Sequence, residues 1–210
     1  MNRARPLRLL PFVIGAGIVA GSFLLDGQIV AWVAAHRVAG VQEAARLFTK
    51  WGDFPPIVAL LLGLLLIGWV MKRPAFTRVV LLMLGSAIAG GLAANVLRVL
   101  TGRTRPSASI APGWYGLWNH GVWIAGKYEY SSFPSAHTAV AIACIVPLWL
   151  LTPGRWRMPV AVPATMIALC IAASRILLNA HHLSDVLASV WLGSLIGWLI
   201  CQRVGLKRGR

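Results

Sequence analysis

Six apolar stretches restrict the fold of this chain more than any other feature of its sequence. Each is close to the roughly 20 residues that an α-helix needs to cross the hydrocarbon core of a bilayer. Helices are the expected form because lipid cannot satisfy free backbone groups, and no strand-like alternation indicates a barrel. The predicted spans are Leu9–Leu25, Pro55–Met71, Val79–Leu100, Ala136–Leu151, Pro159–Leu178 and Ser184–Cys201.

Composition supports this interpretation, since 58% of the residues are hydrophobic and only 12% are charged. A soluble domain is nearer half apolar and a quarter charged. We therefore predict an all-α polytopic membrane protein, a bundle of six transmembrane helices that forms a single domain over residues 1–210. The net charge of +15 does not indicate a nucleic-acid partner, because the basic residues lie in short clusters between apolar runs.

The distribution of charge predicts the orientation. With a cytoplasmic N-terminus, more than half of the 20 Lys and Arg residues fall on the cytoplasmic side, and all five acidic residues fall on the other. Lys and Arg are enriched in cytoplasmic loops, so we expect both termini in the cytoplasm and the protein in the inner, cytoplasmic membrane. Arg3, Arg5 and Arg8 before the first span also fit a signal peptide, but we expect an uncleaved anchor.

Residues 27–56, between the first two spans, mix apolar and polar side chains at helical spacing. This pattern predicts an amphipathic helix in the outer headgroup layer, and a plain connector fits it equally well. Asp53 followed by Pro55 predicts the start of the second span, with the aspartate as cap and the proline in the first turn.

Three polar clusters lie at the outer ends of the predicted spans. The first leaves the third span, the second enters the fourth, and the third joins the fifth to the sixth. Their members are Arg98, Arg103 and Arg105; Ser131, Ser132, Ser135 and His137; and Ser174, Arg175, His181, His182 and Asp185. The inner ends carry only Lys and Arg, so a functional site is expected at the outer boundary between membrane and water.

These residue types suit the transfer of a phosphoryl group. Guanidinium groups bind phosphate with paired hydrogen bonds and keep their charge when partly desolvated. A helix that begins near Ser135 would aim backbone N–H groups at the same anion. Histidine is a nucleophile or general acid near neutral pH, and Asp185, four residues after His181, is expected to reach its ring on one helical face.

Each residue also has an ordinary structural explanation. Arginines at span ends serve as anchors in the headgroup layer, a serine caps a helix, and an aspartate favours a first helical turn. His137, His181, His182 and Asp185 could together hold zinc, although adjacent histidines point in different directions and no Glu or Cys joins them. The joint arrangement on one membrane face favours a phosphate site, with no metal and no cofactor.

The motifs carry a resemblance to a known family. In the first motif, six residues separate Arg98 from Arg105-Pro106. The second motif is Pro134-Ser135-Ala136-His137. In the third, five residues separate Ser174-Arg175 from His181, and three more separate His181 from Asp185. This order resembles the type 2 phosphatidic acid phosphatase superfamily, integral-membrane lipid phosphatases related to vanadium haloperoxidases. Two positions depart from the family pattern, since Arg98 replaces lysine and Ala136 replaces glycine.

The resemblance implies a role for each motif residue. His181 would attack phosphorus, Asp185 would orient and charge-balance it, and His137 would protonate the leaving oxygen and then activate water. The phosphate would be held by Arg98, Arg105, Arg175, Ser135 and the backbone N–H of Ala136. Family members need no metal, and the second histidine of the doublet, His182, would be a bystander.

The implied substrate is a phosphate monoester or pyrophosphate of a membrane lipid. Candidates are undecaprenyl diphosphate, the phosphates of lipid A, phosphatidylglycerol phosphate and phosphatidate, and we favour the two cell-envelope lipids. Trp114, Trp118 and Trp123 in the outer loop are typical interface anchors, and a sugar-phosphate headgroup could also stack on them. A phosphotransferase with the same phosphohistidine, or an inactive lipid-binding relative, would share these motifs.

Overall fold

The computed structural model describes residues 10–205, and within this range the chain is mainly helical. Its helices are α1 (Leu10–Ser22), α2 (Asp26–Ala35), α3 (Ala39–Trp51), α4 (Phe54–Val70), α5 (Pro74–Thr101), α6 (Ala136–Leu151), α7 (Gly154–Leu177) and α8 (Leu183–Ile200). Strands β1 (Trp118–Asn119) and β2 (Val122–Trp123) form a short antiparallel hairpin in the loop between α5 and α6. The basic residues that flank the two ends of the sequence, Arg3, Arg5, Arg8, Lys207, Arg208 and Arg210, lie outside the described range.

Within residues 10–205, four helical segments are long and apolar enough to cross a membrane: Leu10–Ala35, Pro74–Thr101, Gly154–Leu177 and Leu183–Arg203. A fifth is present if α3 and α4, which meet at a bend of 55°, count as one span. Helix α6 is apolar but shorter than these. The helical, polytopic class is therefore confirmed, whereas the count of six spans is not.

The first predicted span ends too early. Only a short 3₁₀ turn, Phe23–Leu25, separates α1 from α2. Asp26 directly follows the predicted end of the span, and an unpaired carboxylate is costly in an apolar setting. Within the fold, however, Asp26 is buried and bonds to Arg103 and Ser184, so the chain continues as helix.

Helix α6 lies at the centre of the bundle, against α5, α7 and α8. Two glycines of α8 allow its backbone to approach α6 closely. A Cβ atom at Gly193 would lie 2.8 Å from the carbonyl oxygen of Ala139, and one at Gly197 would lie 2.9 Å from that of Ala143. These small residues permit close packing of α8 on α6, and the N-terminal ends of the two helices lie together.

Helix α3 is the amphipathic part of the connection between the first two spans. It exposes Val41, Leu47 and Trp51, and its other face meets α7, where the Gln42 side-chain amide donates to the carbonyl oxygen of Leu177 at 2.9 Å. Asp53 caps the next helix as predicted, since its carboxylate accepts a 2.8 Å hydrogen bond from the backbone N–H of Phe54. The connection therefore contributes packing and polar groups beside the outer end of the bundle.

Candidate active site

The three polar clusters meet at one end of the bundle. The backbone N–H of Ser135 donates to the carbonyl oxygen of Asp185 at 3.4 Å, which joins the second cluster to the third. A guanidinium nitrogen of Arg105 donates to the carbonyl oxygen of Ala180 at 3.1 Å, which joins the first to the third. The fold thus brings together segments that are far apart in the sequence.

His181 is held in one tautomer. Its side chain is 1% exposed, and Nδ1 lies 2.6 Å from the backbone carbonyl oxygen of Ser132. Because a carbonyl oxygen can only accept, Nδ1 carries the proton and Nε2 carries a lone pair. Nε2 is buried and has no hydrogen-bond partner among the described residues. Burial lowers the pKa of His181 to about 3, and the nearby charge of Arg105 acts in the same direction.

Asp185 is arranged differently from the sequence prediction. His181 does not share a helical face with it, because His182 is the N-cap of α8 and the aspartate accepts from the cap's backbone N–H at 2.8 Å. The carboxylate also accepts from the Ser132 hydroxyl at 2.5 Å and from Arg103 at 2.6 Å. Its distance to His181 Nδ1 is 3.7 Å, so these other groups, rather than a short bond to the histidine, fix its position.

Arg103 is the buried counter-ion of this site. Besides its bond to Asp185, it donates to Asp26 at 2.6 Å and to the Ser184 hydroxyl at 2.7 Å. Its guanidinium carbon lies 5.1 Å from the ring centre of Phe23 and 4.7 Å from that of Trp114. Two carboxylates and two rings therefore occupy this arginine, which leaves the other arginines of the clusters as candidates for binding a substrate anion.

Arg105 organises the loop that covers the site. It donates to the carbonyl oxygens of Tyr128 at 2.8 Å, Ala180 at 3.1 Å and Ser131 at 3.1 Å, and it lies 4.0 Å from the Tyr128 ring centre. A guanidinium has five N–H groups, so part of its capacity is left for a ligand. Burial lowers the pKa of Arg105 from its usual value, which reflects the cost of placing a cation here.

Arg98 and Arg175 each have a side-chain donor that no group in residues 10–205 satisfies. The Nε atoms of both are buried and lack an acceptor among the described residues. One end of Arg175 is fixed by α3, because its guanidinium donates to the Thr49 hydroxyl at 3.1 Å. The same hydroxyl lies 2.9 Å from that of Ser174. An unsatisfied buried donor is costly unless a ligand accepts from it, so both arginines suit an anion site.

The N-terminus of α6 supplies two further predicted residues. Ser135 occupies the N-cap position and is fully buried, and its hydroxyl lies 3.1 Å from that of Thr138. Ala136 follows as the first residue of the helix. The first backbone N–H groups of a helix have no partner within it and attract an anion, which places a third type of donor beside the arginines.

A cavity of about 320 Å³ opens beside these groups between α4, α5 and α6. Its polar wall contains Arg98, Ala136, His137 and Asp53, and apolar side chains such as Leu92 line the rest. The half-buried His137 places Nε2 3.4 Å from a carboxylate oxygen of Asp53. A cavity that is cationic at one end and apolar along its wall is chemically complementary to a lipid phosphate.

His182 differs from its neighbour. As the N-cap of α8 it is partly exposed, and its Nε2 lies 3.2 Å from the carbonyl oxygen of Thr104. Burial lowers its pKa as well.

Over residues 10–205, no three His, Cys, Asp or Glu side chains are grouped closely enough to hold a metal ion.

Several residues of the site were missed by sequence reasoning. Asp26, Thr49 and Asp53 come from segments that carry none of the three motifs. Ser132 and Arg103 belong to the predicted polar clusters, but neither was given a role of its own. The small number of acidic residues, only five in the whole sequence, was one signal that could have identified the two aspartates. An aspartate in so apolar a sequence needs a partner, and here Asp26 and Asp53 both reach the site.

Known proteins are similar to this chain in sequence. Lipid A 1-phosphatases of Rhizobium etli and Rhizobium johnstonii are 27% and 26% identical to this chain, over 187 and 209 residues. The matches cover 82% and 93% of this chain and 77% and 81% of those proteins.

Two crystal structures have the same fold. The transmembrane PAP2 type phosphatidylglycerolphosphate phosphatase of Bacillus subtilis has a TM-score of 0.67 at 24% identity and covers 96% of each chain. Aquifex aeolicus LpxE has a TM-score of 0.61 at 16% identity and covers 85% of this chain and 95% of its own. The family model of the PAP2 superfamily matches residues 79–208. Because that match covers more than half of the sequence, this multi-pass membrane protein belongs to the PAP2 superfamily of lipid phosphatases.

Proposed function

We propose that this protein hydrolyses the phosphate monoester of a membrane lipid through a phosphohistidine on His181. The observation that carries the proposal is the tautomer of this residue. Its Nδ1–H is committed to the Ser132 carbonyl oxygen, and its buried Nε2 has a free lone pair among the described residues. A neutral imidazole with a fixed orientation is a nucleophile that needs no general base of its own.

The arginines and the helix N-terminus bind the phosphate in this mechanism. Arg98 and Arg175 offer buried donors that have no acceptor in the part of the chain that the structure describes. Arg105 adds a third cation, and the Ser135 hydroxyl and the Ala136 N–H complete the set. Preorganised donors of this kind stabilise charge that develops on the equatorial oxygens in the transition state. Loss of one such donor costs about 10²- to 10³-fold in kcat in enzymes with comparable anion sites.

The reaction proceeds in two displacements. In the first, Nε2 of His181 forms a bond to phosphorus while the bond from phosphorus to the lipid oxygen breaks, and protonated His137 gives a proton to that oxygen. In the second, water attacks the phosphohistidine and gives a proton to His137, so the P–N bond breaks and inorganic phosphate leaves. Asp185 keeps His181 beside the Ser132 carbonyl through the Ser132 hydroxyl, and its negative charge balances the imidazole while it is phosphorylated.

The favoured substrate is the 1-phosphate of lipid A or a closely related glycolipid phosphate. The Rhizobium relatives are named lipid A 1-phosphatases, and their similarity extends over most of this chain. The cavity beside His137 has a cationic end and an apolar wall, as an acylated phosphate requires. Exposed Trp118 and Trp123 of the β1–β2 hairpin add aromatic surface that suits a sugar headgroup.

We also propose that six helices cross the inner membrane, with both termini in the cytoplasm and the site at the periplasmic face. In this arrangement α4 and the short α6 each count as a span, and α3 lies in the outer headgroup layer. The charge distribution supports the orientation, because Lys72, Arg73 and Arg78 lie at the inner hairpin between α4 and α5. Labelling of single cysteines in that hairpin and in the β1–β2 hairpin by a membrane-impermeant reagent tests it.

A phosphate-release panel tests the substrate. Purified protein in detergent is given lipid A 1-phosphate, phosphatidylglycerol phosphate, phosphatidate and undecaprenyl diphosphate, and inorganic phosphate is measured. We expect the highest kcat/KM with lipid A 1-phosphate and none above background in His181→Asn. Wild-type inactivity on all four lipids would contradict the proposed phosphatase activity. Labelled phosphate that appears on an added lipid acceptor instead of in water would indicate a phosphotransferase.

A further inference from the structure

Asp53 faces His137 from outside the three motifs. It lies between α3 and α4 as the N-cap of α4, and a carboxylate oxygen is 3.4 Å from His137 Nε2 in the wall of the cavity. Half of its side chain is exposed, 55%, against 19% for His137. The capping bond to the Phe54 N–H occupies the same oxygen but leaves the carboxylate its full charge.

The electrostatic surroundings of His137 explain why a carboxylate there matters. Burial opposes a positive charge on the imidazole most strongly. Three cations oppose it as well: Arg175 from α7, Arg98 from α5 and Arg105 from the covering loop. Asp53 is the anion that acts in the opposite direction. Asp185, the carboxylate of the third motif, is already neutralised by Arg103. A general acid in this position therefore depends on Asp53 to hold its proton.

We propose that Asp53 is a positioning residue that favours the protonated form of His137 for departure of a poorly leaving lipid oxygen. The proposal rests on the phosphatase activity proposed above and extends it to the kind of ester that the site serves. In the first displacement the P–O bond breaks and its electron pair stays on the leaving oxygen, which takes the proton from the imidazolium. The neutral imidazole that remains then accepts a proton from the attacking water.

The leaving group decides how much this pair contributes. An alkyl or sugar oxygen is strongly basic, so it departs only with a proton, whereas an aryl oxide or the phosphate of a diphosphate leaves as a stable anion. The Asp53–His137 pair thus favours phosphate monoesters of alcohols or sugars over diphosphates. Lipid A 1-phosphate belongs to the first class and undecaprenyl diphosphate to the second.

Three variants separate the charge of Asp53 from its capping role. Asp53→Asn keeps the cap, because asparagine caps helices as well as aspartate, and removes the charge. Asp53→Ala removes both, and Asp53→Glu restores the charge. Each purified variant is assayed for kcat with lipid A 1-phosphate and with p-nitrophenyl phosphate, and vanadate binding is measured by calorimetry as a mimic of the five-coordinate phosphorus.

We expect Asp53→Asn to lower kcat on the sugar phosphate about fivefold, as suits a half-exposed ion pair, with less than a twofold change on the aryl phosphate. Vanadate binding should weaken by a similar factor, and Asp53→Glu should recover part of each loss. Equal losses on both esters, or a loss in Asp53→Ala alone, would overturn the proposal and leave the phosphatase activity standing. If the wild type released no phosphate from any ester, the proposed function itself would fail, and this role of Asp53 would fail with it.

Discussion

Replacement of Arg103 by methionine tests the buried ionic network most severely. Methionine keeps much of the side-chain volume but removes every N–H donor. The carboxylates of Asp185 and Asp26, 0% and 6% exposed, would then lose their 2.6 Å ion pairs. Breaking a buried pair by removal of one partner costs about 3–5 kcal/mol because a charge is left uncompensated. Here two carboxylates share one cation, so we expect the upper part of that range for Arg103→Met.

The free energy of unfolding can be measured by SDS titration in mixed micelles, followed by circular dichroism. Asp26→Asn should cost less, about 1–3 kcal/mol, because Arg103 keeps its bond to Asp185. The double variant should be less destabilised than the sum of the two single changes, since the asparagine removes one of the stranded charges. Arg155→Met is the matched control, because Arg155 is exposed at the start of α7, and it should change stability by less than about 0.5 kcal/mol. Additive losses, or an Arg103→Met variant as stable as the control, would refute this explanation of the network.

Four further predictions concern the histidines and the bundle. The pKa of His181 is lowered to about 3, so its ring should stay neutral from pH 8 to pH 5 in an NMR titration of histidine-labelled protein. A titration midpoint near pH 6.5 would contradict the burial of this side chain. The unfolded chain binds this proton below about pH 6.5 and the folded chain does not, so unfolding free energy should fall from pH 6.5 towards pH 3, less steeply in His181→Asn. In the phosphate-release assay, His182→Ala should keep kcat within about tenfold of the wild type, whereas His181→Ala should fall to background. Comparable losses in the two variants would mean that both histidines act together, which would contradict the bystander role of His182. Gly193→Ala should destabilise the protein by about 1–3 kcal/mol in SDS titration, because its Cβ would meet the Ala139 carbonyl oxygen. Gly63→Ala is the control and should not destabilise, since nothing lies within 4 Å of a Cβ there. Equal effects would contradict the close packing of α6 and α8.

Much of the fold could be predicted from the sequence because apolar runs report the membrane directly. Helix α6 begins and ends at the predicted residues, Ala136 and Leu151, and α8 differs from its prediction by one residue at each end. Helix α7 begins earlier than expected, at Gly154, because Pro159 is accommodated inside the helix instead of starting it. The number of crossings was less predictable, since a short helix such as α6 and a bent pair such as α3–α4 leave span length ambiguous.

The site was predictable where local motifs carry it and unpredictable where distant segments do. Arg98, His137, His181 and their motif neighbours are identified by spacing, and the fold brings those segments to one end of the bundle. The partner of Asp185 was not identifiable, because Asp26 and Arg103 meet only through tertiary packing. The same holds for Thr49, which reaches Arg175 across the contact of α3 with α7.

Asp185 illustrates why spacing alone misleads about geometry. A separation of four residues from His181 suggested a shared helical face, yet α8 begins only after the doublet. The aspartate instead caps its own helix and meets the ring at 3.7 Å. Ser132, on a different segment, makes the short contact with Nδ1. No sequence period encodes such a contact, because it depends on how the loop before α6 passes over the start of α8.

The central claim, covalent catalysis by His181, is tested most directly by trapping the intermediate. Lipid A 1-phosphate labelled with ³²P is mixed with purified protein, quenched in alkali within milliseconds, and the labelled peptide is identified. His137→Asn is given ³²P-labelled p-nitrophenyl phosphate, whose leaving oxygen needs no proton, and it should accumulate the intermediate because it cannot activate water for the second displacement. We predict an alkali-stable, acid-labile label on the peptide that contains His181, and none in His181→Asn. An acid-stable, alkali-labile label at Ser135, detected after an acid quench, or turnover without any covalent label, would contradict the mechanism.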